Sequence, residues 1–515
     1  MKSNYKIREI NSKNKGRKTN SKNKGRKTNS KNKGNNTSNN KNKNKVNNNK
    51  SDNKSNNKKN KYLTYDCVVI GGGAAGMMAA ITAAGKGISV LIIEHTSRLG
   101  SKLLQTGNGK CNYTNLDMSE YKFQNEDKTF VKEVLNHYDV GDVLSFFEKI
   151  GVYHKSKNGY IYPHSETAAS LQEALRLEVD RNNIHVLYNF NTEQIDFISQ
   201  NKEMSVNMSF HGHDGRDKGH KKEQKSSDFV IKGTQEIIHD DITEEQKITI
   251  KAATVILATG SMASPKTGSD GSGYDYARML GHTIKTPLPA LVQLISDSNL
   301  CKIMAGVRST GKVDIICDGN VIASDMGEIQ YTDYGRSGIP VFQVSRYAVE
   351  KIYNDGSVTA RIDMLPDYDI KNLYEMTKKR LEYDNDKTVE QFFAGLLNRK
   401  LVCAVAKYCE INNNDKMNSI NYMNIEKLLK AFKQFSIHIT GYKDYANAQV
   451  CQGGINLNEI DAKTMQSKLV PGLYFAGEVT DVDGMCGGYN LQWAWSSGYV
   501  AGESAACTVK KNVTL

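Results

Sequence analysis

The 515-residue sequence predicts an α/β fold preceded by a disordered, basic tail. Three stretches predict the α/β part: a strand, glycine turn, helix and strand at 65–94, a buried strand that ends near residue 260, and a strand and helix at 472–506. Strands that alternate with helices are typical of a sheet with helices packed on its faces. Because these stretches lie far apart in the chain, the predicted sheet is assembled from two halves of the sequence, with other segments inserted between them.

The predicted tail, residues 1–61, consists mainly of Asn, Lys, Ser, Gly and Thr. The nonapeptide NSKNKGRKT stands at 11–19 and again at 20–28, and a fragment of it follows at 29–34. The tail holds 21 Lys and Arg against two acids, a net charge of +19, so the other 454 residues carry −6 of the chain's +13. Because too few apolar side chains are present to offset the loss of chain entropy, we expect disorder.

A lysine-rich arm of this kind can bind nucleic-acid phosphates or an anionic membrane surface, but a solvated extension without a partner is the favoured interpretation. The tail has no apolar segment like that of a secretory signal. The nine cysteines are odd in number, form no CxxC pair and stand without a histidine cluster. We therefore expect no disulfide framework, no metal site and a cytoplasmic protein.

A dinucleotide-binding unit is predicted at 65–94. A β-branched strand at 65–70 is followed by the glycine turn GGGAAG at 71–76, a helix of small residues at 77–84 and a strand at 87–94. The stretch 67–85 holds 19 uncharged residues, but its glycine and alanine content and the lack of a second span argue against a membrane helix.

The residues of this unit have distinct expected roles. Gly71 permits the tight turn, Gly73 leaves room for a pyrophosphate, and Gly76 lets the helix pack closely on the strand. The helix N-terminus, together with Ala74 and Ala75 of the turn before it, is expected to offer free N–H groups to the phosphates. Glu94 can accept hydrogen bonds from a ribose diol.

The loop at 98–115 follows Glu94 directly and is rich in Gly, Asn and cations. Its backbone N–H groups and lysines can wrap a pyrophosphate and a flavin ring, although an ordinary surface loop is the alternative interpretation. The candidate residues are Lys102, Gly107, Gly109, Cys111 and Asn112.

The middle of the chain is predicted to hold the remainder of the first half and two inserted pieces. A long polar hairpin tip or insertion is expected at 199–247; its His211, His213 and His220 are better explained by a solvated loop than by a metal site. A buried strand then ends at Gly260, and a glycine loop opens a helix after it. The predicted domains are the tail at 1–61, a nucleotide-binding domain at 62–289 and 446–510, a small β domain at 290–365 and a helical segment at 366–445.

The C-terminal end returns to nucleotide-binding chemistry. The strand LYFAGE delivers Gly477 and Glu478, and a carboxylate at a strand end can bind ribityl hydroxyls. The residues Gly487, Gly488, Tyr489 and Asn490 open the last helix, whose N-terminal dipole can stabilise negative charge on a reduced flavin.

These motifs together resemble bacterial FAD-dependent oxidoreductases with the glutathione-reductase-like FAD fold, the group often called aminoacetone-oxidase-like. That group also includes clostridial flavoproteins proposed to reduce unsaturated 3-oxo bile-acid intermediates. The matching segments cover most of 62–510 and include VVIGGGAAGMMAA, GSKLLQTGNGKCNYTN, GEIQYTDYGRSGIPVFQVSR and GLYFAGEVTDVDGMCGGYNLQWAWSSGYVAG. The sequence departs from the group's pattern at Cys451, where relatives often have Thr, and at Lys110, which replaces a common Arg.

The resemblance implies a Rossmann-like FAD-binding domain in two sequence halves. It also implies FAD contacts from the glycine turn, Glu94, the 98–115 loop, Gly260, Gly477, Glu478 and the 487–490 turn. Only one dinucleotide fingerprint is present, so NAD(P)H is expected, if at all, as a transient reductant. Cys111 stands alone after Glu94, which argues against a disulfide reductase.

The expected reaction is hydride transfer through flavin N5 to or from a small organic substrate, either reduction of an activated C=C or oxidation of an amine. A general acid would assist, and the candidates by residue type are Tyr162, His164, Tyr334 and Tyr489, although a structural role is the better interpretation for each of them singly. Arg336 could bind an acidic or carbonyl group or form a surface salt bridge. The alternative function is an FAD-binding module that the basic tail directs to RNA or a membrane.

Overall fold

The structure is a computed structural model that describes residues 61–125, 127–199, 202–203, 229–239 and 242–514. Residues 1–60 of the predicted tail lie outside this range, and Lys61 is the first residue of a strand. The strands, in chain order, are β1 (Lys61–Ile70), β2 (Val90–Ile93), β3 (Thr114–Asn115), β4 (His154–Lys157), β5 (Tyr160–Pro163), β6 (His185–Leu187), β7 (Phe190–Ser199), β8 (Lys202–Glu203), β9 (Phe229–His239), β10 (Ile242–Leu257), β11 (Ile284–Ala290), β12 (Leu294–Ile295), β13 (Arg308–Cys317), β14 (Asn320–Tyr331), β15 (Gly335–Ser337), β16 (Val358–Asp363), β17 (Phe435–Ile439), β18 (Gly441–Tyr442), β19 (Val450–Ile455) and β20 (Leu473–Phe475).

The α-helices follow the same order. They are α1 (Ala74–Gly85), α2 (Lys128–His137), α3 (Val140–Lys149), α4 (Ala168–Arg181), α5 (Ser272–Met279), α6 (Leu300–Met304), α7 (Ile339–Tyr353), α8 (Ile370–Tyr383), α9 (Val389–Phe393), α10 (Arg399–Tyr408), α11 (Tyr422–Lys433) and α12 (Tyr489–Thr514).

The main sheet confirms the predicted α/β fold and its two sequence halves. Its strand order is β6-β2-β1-β10-β9-β7-β8, and β20, from the C-terminal half, pairs with β10. The β6, β2, β1, β10 and β20 pairings are parallel, whereas β9 and β7 are antiparallel to their neighbours. The four residues of β2 and the last four of β1 are buried, as expected for central parallel strands covered on both faces.

The carboxyl ends of four parallel strands meet at one edge of this sheet. Ile93 of β2 pairs with Ile70 of β1, Ile70 pairs with Leu257 of β10, and Leu257 pairs with Phe475 of β20. The residues that follow these strands are therefore brought together, although they come from positions 71 to 476 of the chain. Ligands of open α/β sheets bind at this edge.

The antiparallel part of the sheet includes the described residues of the stretch 199–247, which the sequence predicts as a polar hairpin tip or insertion. Residues 229–239 and 242–247 are strand, because β9 and β10 form a long hairpin in which Ile248 and Ile250 are buried and Glu244 and Glu245 are exposed. Because neighbouring strand residues point to opposite faces and both glutamates are exposed, this end of the hairpin is exposed on both faces, which explains its polar composition. His211, His213 and His220 lie outside the described residues.

Helices α1 and α12 pack on each other through glycine. A Cβ on Gly498 would lie 2.5 Å from the carbonyl oxygen of Ala75, and one on Gly502 would lie 2.3 Å from that of Ala79. The two helices thus approach at backbone distance, and the longest helix of the C-terminal half is held against the first helix of the N-terminal half. Trp493 and Trp495, on the same helix, are fully buried in the main core.

A second sheet and a second core are formed by the residues between the two halves. The strand order is β17-β16-β13-β14-β15-β12-β18, and every pairing in it is antiparallel. Its core includes residues of α7 and α8 to α11. Two of its strands, β17 and β18, lie within the stretch 366–445 that the sequence analysis predicts as helical, so the helices fill one core together with strands from both inserted pieces. The domain boundaries themselves stay a prediction.

No helix in the described part of the chain is both long enough and apolar enough to cross a membrane.

The close approach of α1 and α12 predicts a large effect of a small substitution. We expect Gly502→Ala to lower the free energy of unfolding by about 1–3 kcal/mol, because the added methyl group overlaps the Ala79 carbonyl and the helices must separate. Urea denaturation of the full chain measures this difference. The control is Gly85→Ala at the end of α1, where a Cβ meets no described atom within 4 Å; an equal loss in both variants would contradict the packing explanation.

Candidate functional site

A cavity of about 770 Å³ opens at the edge where the parallel strands end. Its lining comes from both halves of the main sheet, from Leu291 and Gln293 just before the strand β12, from residues 446–450, and from helix α7. A volume of this size lies in the range of sites for cofactors and small ligands. The cavity is therefore the candidate site, and the sequence-predicted residues can be compared with its lining.

The glycine turn after β1 forms one wall. Gly71 has a φ of +105°, and a Cβ there would lie 2.4 Å from the carbonyl oxygen of Ala258, so only glycine fits. Gly73 lines the cavity, and a Cβ there would meet no described atom within 4 Å, so any side chain would occupy cavity space. A Cβ on Gly76 would lie 1.8 Å from the Gly71 carbonyl oxygen, which gives Gly76 a packing role outside the lining.

The first turn of α1 faces the cavity with its backbone. Gly73 is the N-cap, no described side chain caps the helix, and Ala74 and Ala75 line the cavity. The unpaired N–H groups and the positive end of the helix dipole make this turn a site for phosphate.

Glu94 follows β2 and lies in the cavity wall, 7% exposed. Its Oε2 accepts a hydrogen bond from the Gly72 N–H at 2.8 Å, and its Oε1 accepts two from the N–H and hydroxyl of Thr96, each at 2.8 Å. These bonds fix the carboxylate. Because a carboxylate has about four lone-pair sites, it still has acceptor capacity for a ligand hydroxyl.

Lys102 and Glu478, which the sequence presents as separate contacts, form an ion pair in the wall. The Lys102 Nζ lies 2.6 Å from Glu478 Oε2, and Glu478 Oε1 accepts hydrogen bonds from the Ser261 hydroxyl at 2.7 Å and the Cys451 N–H at 3.2 Å. The pair connects the 98–115 loop to the end of β20. Cys451 contributes its backbone N–H, so the Thr common in relatives would supply the same contact.

The bend at Gly487 and Gly488 forms the opposite wall. Both residues have positive φ, +136° and +92°, and a Cβ on Gly488 would lie 2.6 Å from the Thr114 carbonyl oxygen. The Asn490 carboxamide accepts from the Gly484 N–H at 2.8 Å and donates to the Gly484 carbonyl at 2.9 Å. Asn490 lines the cavity, but its side chain holds the segment before the bend.

Two polar atoms at the cavity support a ligand with several hydrogen-bond donors. The Oδ1 of Asn112 and the Oε1 of Gln293 are buried and have no hydrogen-bond partner among the described residues, and both residues line the cavity. Buried acceptors are almost always paired, so a ligand donor is expected at each. The imide N–H of a flavin ring and the hydroxyls of a ribityl chain are such donors. With the open space at Gly73, the residues present fit FAD.

The structure places most of the predicted cofactor residues in the lining. These are Gly71, Gly73, Ala74, Ala75, Glu94, Lys102, Gly107, Asn112, Gly260, Gly477, Glu478, Gly487, Gly488 and Asn490. Four predicted cofactor residues lie outside it: Gly76, Gly109, Cys111 and Tyr489. The contacts of all these residues with a cofactor stay predictions.

Cys111 and Tyr489 have structural surroundings. Cys111 is fully buried, and burial raises the pKa of its thiol to about 12, so the thiol is unreactive at neutral pH. The Tyr489 ring packs edge-on against Phe123 with centroids 6.3 Å apart, and burial raises the pKa of its hydroxyl to about 12.

Of the candidate acids, only Tyr162 lines the cavity. His164 is exposed outside it, and the Tyr334 ring lies under Lys443, whose Nζ is 4.3 Å from the ring centroid. The sequence analysis missed Tyr160, which lines the cavity beside Tyr162. The spacing of two on the strand β5 could have identified it, because alternate residues share one face of a strand.

Arg336 lies neither in the cavity nor on the surface, where the sequence analysis expected it. It is 1% exposed; its Nη1 donates to the Gly335 carbonyl at 2.8 Å and lies 3.4 Å from Cys301 Sγ. The guanidinium also lies 4.7 Å from the centroid of the Tyr331 ring. No described carboxylate pairs with it, and burial lowers its pKa. The side chain belongs to the second core.

Lining residues from 291–342 and 446–450 form what we call the apolar half of the cavity, which also holds the polar but uncharged Gln293, Asn447 and Gln449. Leu291, Ile339, Phe342, Ala448 and Val450 line it. Among the described lining residues, four have acidic or basic side chains: Glu94, His95, Lys102 and Glu478. All four lie in segments that follow the main-sheet strands β2 and β20. The described residues also contain no group of three His, Cys, Asp or Glu side chains arranged to bind a metal.

The chain matches known proteins over most of its length. The sequence pattern described as "HI0933-like protein Rossmann domain" matches residues 65–214 and 216–504. A 3-dehydro-bile acid delta(4,6)-reductase from Clostridium scindens is 36% identical over 85% of this chain and 98% of its own length. Ribosomal RNA dihydrouridine synthases from Haemophilus influenzae and Escherichia coli K12 are 27% and 26% identical, over 84% and 85% of this chain and 96% and 97% of their own lengths.

The open space at Gly73 predicts a variant that folds but binds the cofactor poorly. We expect Gly73→Val to weaken FAD affinity by roughly two orders of magnitude, equivalent to about 2.8 kcal/mol, because the side chain occupies the place of the pyrophosphate. Its φ of −77° suits valine, so the melting temperature of the apoprotein should not change. FAD fluorescence titration measures the affinity. Gly395→Val, at another position with no described neighbour within 4 Å, is the control; unchanged affinity in Gly73→Val would contradict the assignment.

Proposed function

The chain belongs to the HI0933-like family, a family of flavin-dependent oxidoreductases, and we propose that it uses FAD to add hydrogen across a C=C bond conjugated to a carbonyl group. The observation that carries this proposal is the apolar, uncharged half of the cavity beside two tyrosines. The names of the relatives support the same chemistry, since a delta(4,6)-reductase and a dihydrouridine synthase both denote hydrogen addition to a C=C bond.

The cavity favours a neutral substrate over an amine. A protonated amine needs an anion or an aromatic cage, and the two carboxylates of the described lining are already engaged: Glu94 by N–H and hydroxyl groups, Glu478 by Lys102. An uncharged enone meets no such cost among Leu291, Phe342 and Val450. We therefore favour C=C reduction over amine oxidation.

FAD, when bound, supplies the hydride from its N5 position. The chain supplies the proton and the binding geometry. Tyr160 and Tyr162 project from the same face of β5 into the cavity, and burial raises the pKa of both hydroxyls, so both keep their protons at neutral pH. A protonated phenol can donate a hydrogen bond to the substrate carbonyl and a proton to the reduced product.

Tyr160 is the better candidate for the acid. Its ring edge lies 2.8 Å from the place that a Cβ on Gly487 would occupy, so it borders the bend before α12. The edge of the Tyr162 ring lies 4.0 Å from the place that a Cβ on Gly107 would occupy. The start of α12 is expected to lie against the reduced flavin, so we take Tyr160, which borders it, as the first candidate and Tyr162, which borders the 98–115 loop, as the second.

A uracil base in ribosomal RNA is the second candidate substrate. Its C=C bond is also conjugated to a carbonyl, two relatives are named for this reaction, and the tail carries a net charge of +19. A cationic arm supplies sequence-independent affinity for RNA phosphates. Against this candidate, the described lining offers no cation other than Lys102 and, when protonated, His95 to receive a phosphate.

The two candidates are separated by reoxidation of the reduced flavin. The FAD-loaded full chain is reduced without oxygen by NADH, NADPH or dithionite and mixed with an uncharged 3-oxo-4,6-diene steroid or with a uridine-containing ribosomal RNA fragment. We expect the steroid enone to restore the visible absorbance of oxidised flavin and to gain two hydrogens by mass. Reoxidation by RNA alone, lost in a chain that starts at Lys58, would favour the second candidate; reoxidation by neither substrate would overturn the proposal.

Removal of the acid should slow turnover without loss of FAD. We expect Tyr160→Phe to lower kcat for enone reduction by a factor of about 10²–10³, because the proton must then come from water. Tyr162→Phe, on the same face of β5, is the matched control and should lower kcat less than tenfold. Stopped-flow reoxidation measures both, and a flavin spectrum confirms that FAD is bound. A larger loss in Tyr162→Phe would reverse the assignment.

A further inference from the structure

Helix α7 is the element that connects the apolar half of the cavity to the glycine bend. Its first turn lines the cavity with Ile339 and Phe342. The next residue, Gln343, and Arg346, one turn later, contact the segment 483–486 that leads into the bend. One helix thus borders the proposed substrate and also the expected position of the flavin ring.

Gln343 holds the residue directly before the bend by both of its backbone groups. The Cys486 N–H donates to Gln343 Oε1 at 2.8 Å, and Gln343 Nε2 donates to the Cys486 carbonyl at 3.4 Å. A carboxamide that pairs with both the N–H and the carbonyl of one residue fixes the orientation of the two peptide groups on either side of that residue. Because Gly487 and Gly488 follow with positive φ and no side chains, the bend has little stiffness of its own, and the position of Cys486 sets where it starts.

Arg346 holds the other end of the same segment. Its Nε and Nη2 lie 3.1 Å and 3.2 Å from the two carboxylate oxygens of Asp483, whose side chain is 4% exposed. A two-point pair of this kind fixes direction as well as distance. The segment is therefore attached to α7 at its first and last residues.

Further anchors of the segment come from the main-sheet part of the chain, and two of them are backbone bonds: the Gln124 N–H donates to the Asp483 carbonyl at 2.8 Å, and the Met485 N–H donates to the Lys122 carbonyl at 2.9 Å. Asn490 pairs with Gly484, and the Asn115 Nδ2 donates to the Gly487 carbonyl at 2.9 Å. The bend is thus held between the carboxamides of Asn115 and Asn490, which belong to the main-sheet part of the chain, and the carboxamide of Gln343 on α7. A ligand that displaces α7 at Ile339 or Phe342 must act on the bend through Gln343 and Arg346.

We propose that Gln343 is a positioning residue that sets the geometry of the flavin-binding bend and transmits substrate occupancy to it. The first part concerns FAD alone; the second part rests on the proposed function, because it requires a substrate between α7 and the bend. Gln343 does not touch the reacting atoms in this arrangement, and it acts through the Cys486 peptide.

The first test measures FAD affinity without substrate. In the full chain, Gln343→Leu removes both hydrogen bonds at similar volume, and we expect FAD to bind about tenfold more weakly, with a normal melting temperature. Gln343→Glu keeps the acceptor for the Cys486 N–H and loses the donor, so we expect FAD affinity to fall about threefold. This variant provides the test if Gln343→Leu does not fold. The control is Glu350→Gln on the exposed side of α7. FAD affinity in the Gln343 variants within twofold of the control would overturn the positioning role.

The second test measures whether substrate occupancy reaches the flavin. An uncharged steroid with a phenolic A ring, which can neither accept hydride from the flavin nor donate hydride to it, is titrated into the FAD-loaded chain while the visible flavin spectrum is recorded. We expect a spectral shift in the wild type and in Glu350→Gln, and at least a fivefold smaller shift in Gln343→Leu at saturation with the analogue. An equal shift in Gln343→Leu, or no shift in a wild type that binds the analogue, would overturn transmission. Equilibrium dialysis measures whether the wild type binds the analogue. If it does not, the proposed substrate class is contradicted, and so is the transmission of substrate occupancy to the bend. The positioning role is then still decided by the FAD titration.

Discussion

The parallel pairing of β10 with β1 on one side and β20 on the other is the constraint on which the site depends. Backbone hydrogen bonds set Ile70, Leu257 and Phe475 side by side, so the glycine turn, Gly260 and Gly477 follow at the same edge. A shift of one residue in any of these ladders would move the turn away from the cavity and reverse the faces of the strand. The glycine contacts of α1 with α12 add a second connection between the two halves, independent of the sheet.

Charge in the cavity is arranged so that little of it is unpaired. Glu94 is held by backbone and hydroxyl donors, and Glu478 is held by Lys102, Ser261 and the Cys451 N–H. Burial of a carboxylate without such partners costs several kcal/mol, which explains why each is surrounded by donors. The apolar half of the cavity carries no charged side chain among the described residues. Outside the cavity, Arg336 is a buried cation with sulfur and aromatic neighbours in the second core.

The inserted pieces contribute to the site as well as to a second core. The second sheet and its helices enclose their own apolar core, yet α7 reaches the segment before α12 through Gln343 and Arg346. The apolar lining residues on α7 and the bend before α12 are therefore connected by side chains on one helix. Such a connection is invisible in either half of the sequence alone, since Gln343 and Cys486 stand 143 positions apart.

The sequence by itself determined the α/β class, the glycine turn with Glu94, the strand that ends before Gly260 and the Gly487–Gly488 bend, because each depends on local backbone requirements that only certain residues meet. Fourteen of the eighteen predicted cofactor residues line the cavity for this reason. Only the tertiary structure decided that Lys102 pairs with Glu478, that Gly76 and Cys111 pack outside the lining, that Tyr160 and Gln293 join the cavity and that Arg336 is buried. These outcomes depend on which side chains meet across distant strands and helices, and local periodicity carries no information about contacts between elements far apart in the chain.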